Sequence, residues 1–232
     1  MGHSRRLFLV PIGSGRYVRL LTAIGREVYM LRLYDFHESG NGFKVRLLLS
    51  QLGTPVERIE MNILEGETRT KAFLARNPNG RIPLLELEDG RRLAESNAIL
   101  FFLSQNTKYW PEDAFLRAEC LQWMCFEQYS HEPYIAVVRF WTFADELADH
   151  EAELPERRRK GDEALDVMEG HLAGRDFFVG NQYSIADIAL YAYTHVAHEG
   201  GFDLSGRPSI REWIARVADQ PGMIGMDEAA PV

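Results

Sequence analysis

The sequence predicts a two-part α/β plus all-α chain: a small domain with a mixed four-stranded sheet over residues 30–105, then a helical domain over residues 114–220. Three observations carry this expectation. Short apolar strand-like pieces alternate with helical stretches up to Gln105, and Asp89-Gly90 marks a tight hairpin turn late in that region. Beyond Asp113, apolar residues recur at spacings of three and four, the period of an amphipathic helix.

Residues 1–29 are expected to be an N-terminal extension. Arg5, Arg6, Arg16, Arg19 and Arg26 face a single acid, Glu27, as in targeting sequences, but there is no compact apolar core followed by a small-residue cleavage site. The folded part begins near Met30. Leu31, Leu33 and Tyr34 open a strand that stops at Glu38-Ser39-Gly40-Asn41-Gly42. Phe43 to Leu52 then has helical spacing, with Lys44 and Arg46 expected on its wetter side and Gly53 as a stop. Val56, Ile59 and Met61 form a second strand after the Thr54-Pro55 breaker. Thr70 to Ala75 is a short helix, and Asn77-Pro78-Asn79-Gly80 a turn.

Ile82 to Leu87 is the third strand, with Pro83 at its start, where a missing N–H is tolerated. Arg92 to Ala94 pairs with it across Asp89-Gly90. Ser96 precedes the apolar run Ala98, Ile99, Leu100, Phe102 and Leu103 and is expected to be its N-cap. The order is therefore β-α-β-α-β-β-α. One parallel crossover followed by a hairpin makes a mixed sheet with helices on its faces.

Residues 106–113 form a linker. The stretch from Ala114 to about His150 is too long for one ordinary globular helix, and Pro133 is the expected point of division. Helices follow over Glu156 to Leu172, Ser184 to about Val196 and Ser209 to Val217, with Phe177-Phe178-Val179-Gly180 as a buried connector. Residues 221–232 are a C-terminal tail.

Composition narrows the function. Of 232 residues, 46% are hydrophobic and 26% charged, which is ordinary globular usage. A formal net charge of -8 argues against a broad nucleic-acid surface. No run reaches the roughly 20 apolar residues that span a bilayer, so a cytoplasmic protein without a membrane partner is expected. The two cysteines, Cys120 and Cys125, are expected to be reduced core thiols rather than a disulfide framework. His131, His195 and His198 make no convincing metal-ligand set, so no metal is expected.

Three motifs can carry chemistry. At Ser39-Gly40-Asn41-Gly42 a hydroxyl and an amide sit where a strand ends and a helix begins, beside unpaired N–H groups and the positive end of the helix dipole; such donors stabilise an anion, including a thiolate. At Arg81-Ile82-Pro83, a cis bond would leave the Ile82 backbone open to an extended ligand. At Glu95-Ser96, a hydroxyl and the following N–H groups suit a carboxylate, and Glu95 suits an ammonium. Ordinary turns and caps use the same residue types, so each motif alone is weak.

In the second domain, Ser184 and Asp187 have the spacing of a capping box, with Asp replacing the usual Glu or Gln and with Tyr183 and Ile188 as its staple. This is a structural motif. Tyr129, His131, Tyr134, Phe140, Trp141 and Phe143 form an aromatic-rich region that can face an interdomain cleft.

Taken in order, Ser39 to Arg46, Gly80 to Leu85 with its Ile82-Pro83, Glu95-Ser96, and Gly180-Asn181-Gln182-Tyr183-Ser184-Ile185-Ala186-Asp187 resemble the glutathione S-transferase superfamily, in particular its bacterial-type cytosolic members. The resemblance spans about Met30 to Asp219. It implies a thioredoxin-like small domain with Pro83 cis, the Ile82 backbone paired with the cysteinyl part of glutathione, Glu95 and Ser96 at its γ-glutamyl end, and Arg81 helping to attract the acidic tripeptide, as Lys71 and Lys44 also could. Ser39 matches the hydroxyl of serine-type members. Asn41 matches a position that is cysteine in some bacterial members and asparagine in others.

The resemblance implies glutathione as cosubstrate, a small hydrophobic or electrophilic second substrate, a role in detoxification and a homodimer. Residues 30–105 contain no cysteine, so any sulfur chemistry there must use the substrate's thiol. A glutathione-dependent transferase is expected first. Disulfide or peroxide reduction and a non-catalytic binding protein are the alternatives.

Overall fold

The computed structural model describes residues 9–11, 17–19, 30–226 and 228. The expected N-terminal extension thus lies mostly outside the described residues, within which β1 (Leu9–Pro11) and β2 (Tyr17–Arg19) form an antiparallel pair.

From Met30 the observed order follows the predicted one: β3 (Arg32–Asp35), α1 (Gly40–Leu52), β4 (Glu57–Glu60), α2 (Lys71–Leu74), β5 (Leu84–Glu86), β6 (Arg92–Ala94) and α3 (Ser96–Ser104). The four strands lie in the order β4-β3-β5-β6. β3 and β4 are parallel, while β3–β5 and β5–β6 are antiparallel, with Tyr34 paired to both Ile59 and Leu84. Side chains alternate across the sheet. Leu33 and Leu85 join Val45, Leu49, Val56 and Ile99 on one face, and Tyr34 and Leu84 meet Phe73 on the other.

Three expectations about this domain are corrected. Helix α1 starts at Gly40, three residues before the apolar run, because the Ser39 hydroxyl caps it by accepting the Gly42 N–H at 3.1 Å. Its supposed wet side is dry: Lys44 and Arg46 are both 0% exposed. α1 packs against α3 on one flank and the helical domain on the other, so no face meets water. Each cation carries a buried counter-charge, Lys44 to Glu127 and Arg46 to Asp35, both at 2.8 Å. Ser96 is likewise not a cap. It is the first residue of α3, and the capping position belongs to Glu95, whose side chain makes no cap bond. The Ser96 hydroxyl instead donates to Asn41 Oδ1 at 2.9 Å.

The second half is helical, with α4 (Ala114–Phe126), α5 (Glu132–Phe143), α6 (Leu154–Leu172), α7 (Ile185–Thr194) and α8 (Pro208–Ala218) around Trp123, Ile135, Met168, Ile188 and Trp213. The division at Pro133 takes the form of a π-helical turn, Glu127–His131, between α4 and α5. Such widened turns often sit at functional sites, and Glu127 of this one reaches Lys44 of α1. Among the described residues, no helix is long and apolar enough to cross a membrane.

Of the two cysteines only Cys120 is in the core, where burial pushes its thiol up to about 12; Cys125, five residues on, is exposed on the opposite side of α4. The segment read as a tail is seated on α1 as far as it is described. Ser50 Oγ donates to the Gly222 carbonyl at 2.8 Å, and Arg46 donates to the carbonyls of Met226 and Glu228 at 2.6 and 2.8 Å.

The Ser184–Asp187 capping box is present at the start of α7. Asp187 also reaches further than a cap requires. Its two oxygens accept from Ser184 N at 2.9 Å, Phe178 N at 3.1 Å and the Trp213 indole N–H at 3.0 Å, all buried. Burial pushes its carboxyl up to about 6 against those donors. Asp187→Ala would leave three buried donors without a partner, each worth about 1–3 kcal/mol. The expected loss of about 3 kcal/mol or more is read from urea unfolding, with no change in any ligand affinity that survives in the folded fraction.

Candidate functional site

A cleft of about 680 Å³ lies between the sheet domain and α5. The loop after β3 contributes Phe36, Glu38 and Ser39, α1 contributes Asn41, and the loop before β5 contributes Arg81, Ile82 and Pro83. Glu95 and Ser96 come from the start of α3. All seven expected small-domain site residues therefore share one cavity. Ser184 and Asp187 are elsewhere, in the helical core.

The Ile82-Pro83 bond is cis. Pro83 precedes β5, and among the described residues the Ile82 N–H and carbonyl make no hydrogen bond, so they remain open at the cleft. Asn77 holds the approach by donating to the Arg81 carbonyl at 2.7 Å, while the Arg81 side chain is exposed. Glu95 has φ 68°, a conformation that costs a non-glycine residue about 1–3 kcal/mol and tends to persist at binding sites. No side chain caps α3, and among the described residues its first N–H groups, at the positive end of the helix beside the cleft, have no partner.

The Ser39 oxygen accepts the Gly42 N–H, and its own hydrogen is left to donate. Asn41 is held at both ends of its amide, with one Nδ2 hydrogen left over. Its Oδ1 accepts from Lys44 Nζ at 2.8 Å and from Ser96, and its Nδ2 donates to Glu132 Oε1 at 2.8 Å. An ammonium only donates and a carboxylate only accepts, so the amide cannot flip. The Asn41 backbone N–H donates to the Tyr193 hydroxyl at 3.1 Å, and the Tyr193 ring fills the space a side chain at residue 40 would need. Gly40 is required by that close approach.

Beneath Asn41 lies a buried polar network from both domains. Lys44 is paired with Glu127, whose other oxygen accepts from Asn97 at 3.1 Å and Gln128 at 2.8 Å. Gln128 Nε2 also donates to Glu132 Oε2. Burial raises the Glu127 carboxyl above the usual range, opposed by Lys44 and reinforced by Glu132. Burial likewise raises the Tyr193 phenol, with both carboxylates adding to the shift, so at ordinary pH it stays protonated with a hydrogen to donate.

Sequence reasoning missed this layer. Lys44, Glu127, Glu132 and Tyr193 lie on four different elements, and no spacing connects them. The available signal was a lysine within a helix whose other positions, Phe43, Val45 and Leu47 to Leu49, are apolar on all sides. Arg139 was missed too. It is nearly buried at the cleft wall, donating to the Glu38 carbonyl at 2.8 Å and to Glu199 at 2.6 Å.

Of the six candidate aromatic-region residues, Phe140 and Phe143 line the cleft, joined by Phe36, Ala136 and Val137. Positions 136, 137, 140 and 143 share one face of α5. Trp141 points away and stacks on His150, Tyr129 is 84% exposed, and His131 is buried against Thr194 at 2.9 Å. Burial lowers His131 to about 3, so it is neutral.

Comparison with known proteins agrees with this architecture. Residues 30–105 match the family described as glutathione S-transferase, N-terminal domain, and residues 122–221 match glutathione S-transferase, C-terminal domain. The glutathione S-transferase-like protein LUC7 of Fusarium sp. is 30% identical over 200 residues, covering 81% of this chain and 88% of the relative. Elongation factor 1-gamma of Artemia salina is 30% identical over 176 residues, covering 72% of this chain but only 40% of its own length. The crystal structure of a glutathione S-transferase from Pseudomonas fluorescens Pf-5 superposes with a TM-score of 0.84 at 51% identity, covering 86% of this chain and all of that one. With a cleft built from the β3–α1 loop, a cis-proline and the start of α3, and with both halves matched, this chain belongs to the glutathione S-transferase family.

Proposed function

We propose that the chain is a glutathione transferase that binds glutathione along residues 30–105, holds its sulfur as a thiolate at Ser39, and presents it to a small electrophile against the helical residues 114–220, with 106–113 joining the two parts. The observation that carries this reading is the convergence, in one cleft, of a free Ser39 hydroxyl donor, an open Ile82 backbone and an uncapped α3 N-terminus beside Glu95. In this reading Ile82 pairs with the cysteinyl residue, and the γ-glutamyl carboxylate meets the N–H groups at Ser96. Its ammonium meets Glu95, and Arg81 steers the acidic tripeptide. Phe36, Phe140 and Phe143 supply the apolar wall for the second substrate, in a dimeric cytoplasmic protein serving detoxification. A thiolate is favoured by hydrogen bonds to the charged form and by the helix end.

The protein contributes donors and orientation, not a covalent bond, because no cysteine lines the cleft. Disulfide or peroxide reduction through glutathione itself uses the same site. A second reading, a binding protein without turnover, is favoured by the likeness to elongation factor 1-gamma. The discriminating experiment presents glutathione with an aryl halide, an organic peroxide and a small mixed disulfide. Conjugation of the aryl halide is expected; selective reduction shifts the reading to a reductase, and glutathione binding with no turnover shifts it to the binding protein.

A further inference from the structure

We propose that Arg139 is a positioning residue for the thiolate donor: from α5 it holds the peptide group that leads into Ser39, and so aims the Ser39 hydroxyl at the glutathione sulfur. The inference rests on the glutathione-binding reading above and deepens it at one residue.

The loop that carries Ser39 is held by its neighbours rather than by itself. A backbone carbonyl shut away from water needs a partner, and those of His37 and Glu38 precede the first turn of α1, where no helical N–H reaches back to them. Two guanidiniums take both places. Arg46 of α1 donates to the His37 carbonyl at 2.7 Å, and Arg139 donates to the Glu38 carbonyl at 2.8 Å. The peptide group between Glu38 and Ser39 is thereby fixed at both ends, because its N–H donates to the Phe36 carbonyl at 2.8 Å. Among the described residues, Arg139 makes the only hydrogen bonds to residues 37–39 that come from the helical half.

Arg139 is itself anchored on its remaining edges. Its Nε donates to Glu199, in the turn after α7, at 2.6 Å, and its Nη2 donates to the Glu38 carboxylate at 3.3 Å and to the Met226 sulfur at 3.4 Å. The donors of a guanidinium diverge from one rigid plane, so fixing one edge fixes the direction of the other. If the peptide group before Ser39 turned, the Ser39 Cα–Cβ direction and its Oγ would turn with it. Misplacing a reacting group by an ångström can cost about 10²-fold. Arg69, Arg81, Glu95 and Glu132 line the same cleft, and Glu38 and Glu199 contact Arg139 directly, so one arm of the test preserves the charge at residue 139.

The test reads the thiolate-to-thiol ratio of glutathione bound to the full chain, by ultraviolet absorbance over a pH series. The variants are Arg139→Gln, Arg139→Lys, Ser39→Ala, and each Arg139 change combined with Ser39→Ala. Arg139→Gln is expected to lower the ratio about tenfold, less than removal of the donor itself. Arg139→Lys keeps the charge and the stem but replaces the fork by a single ammonium, and it should fall nearly as far. It also keeps the test open if the glutamine variant does not fold. In the Ser39→Ala background either change should move the ratio by less than about twofold, because no hydroxyl is left to aim. Affinity for S-methylglutathione, which has no thiol, should change by less than about threefold in each Arg139 variant.

An unchanged ratio in Arg139→Gln overturns the proposal, as does a wild-type ratio in Arg139→Lys, which would make the charge alone sufficient. A fall of the same size with and without the Ser39 hydroxyl overturns it too, since Arg139 would then act on the sulfur directly or only support the fold. If wild type binds no glutathione, or Ser39→Ala leaves the ratio at its wild-type value, the underlying reading fails together with this one. A ratio that falls in Ser39→Ala but survives every Arg139 change overturns only the role of Arg139.

Discussion

Lys44→Met is expected to destabilise the folded chain by about 3–5 kcal/mol, the cost of leaving one member of a buried ion pair without its partner. Lys44 and Glu127 are both inaccessible to solvent, 2.8 Å apart, and Lys44 also donates to Asn41. Methionine restores the volume of the stem but supplies no donor, so Glu127 keeps only its amide partners and Asn41 Oδ1 keeps only Ser96. Glu127 should then bind a proton more readily, and the penalty should shrink as pH is lowered and the carboxyl neutralises. Replacing both members, Lys44→Met with Glu127→Leu, should recover much of the loss, because an apolar pair of similar volume is often no worse than the ion pair it replaces. Denaturant unfolding at neutral and acidic pH checks both statements. If Lys44→Met were as stable as wild type, the buried pair would not hold the two halves of the chain together as described.

The second large effect is chemical. Ser39→Ala is expected to lower kcat/KM for conjugation by about 10²–10³-fold, the range for removing one preorganised donor from a developing anion. Affinity for S-methylglutathione should change little, since in the proposed reading the tripeptide backbone is read at Ile82 and at Glu95-Ser96. Ser39 and Asn41 were equal candidates on sequence, and both line the cleft. The Ser39 hydroxyl keeps its one hydrogen free, whereas the Asn41 amide commits its oxygen to Lys44 and Ser96 and one of its two hydrogens to Glu132. With Ser39 proposed as the main donor, the Ser39→Ala/Asn41→Ala double variant should lose little more thiolate stabilisation than Ser39→Ala alone, and should lose folding stability as well. Steady-state rates alongside affinity for S-methylglutathione check this. Equal losses in rate and affinity for Ser39→Ala would sink its assignment as the thiolate donor.

How much of this was legible in the sequence depended on whether the physics is local. The β-α-β-α-β-β-α order was readable because strand alternation, the Asp89-Gly90 turn and the breaker at Thr54-Pro55 act within a few residues. The Ser184–Asp187 box was readable for the same reason, but its link to Trp213 was not, since 26 residues separate the two. Ser96 was misread because a serine before an apolar run is usually a cap. Here a residue 55 positions away, Asn41, competes for its hydroxyl and wins.

Lys44 and Arg46 were misread for a related reason. A helix covered on one side by its own sheet and on the other by a second domain has no solvent face, and periodicity within the helix does not reveal the second cover. The residues that surround the candidate site followed the same division. Ser39, Ile82, Pro83 and Glu95 lie in short motifs that local sequence reading singles out, and they line the cleft. Glu127, Glu132, Arg139 and Tyr193 come from the helical half, where each looks like an ordinary helix residue until α7 is seen to pack on α1 and α5 to line the cleft beside it.

The most direct test of the central claim is a crystal structure of the full chain with glutathione bound. The account predicts the tripeptide in the cleft between the Ile82-Pro83 loop and α5, its sulfur within hydrogen-bond reach of Ser39 Oγ, its cysteinyl backbone paired with Ile82 and its γ-glutamyl end at Glu95 and Ser96. A tripeptide bound elsewhere, or a sulfur directed away from Ser39, would contradict it.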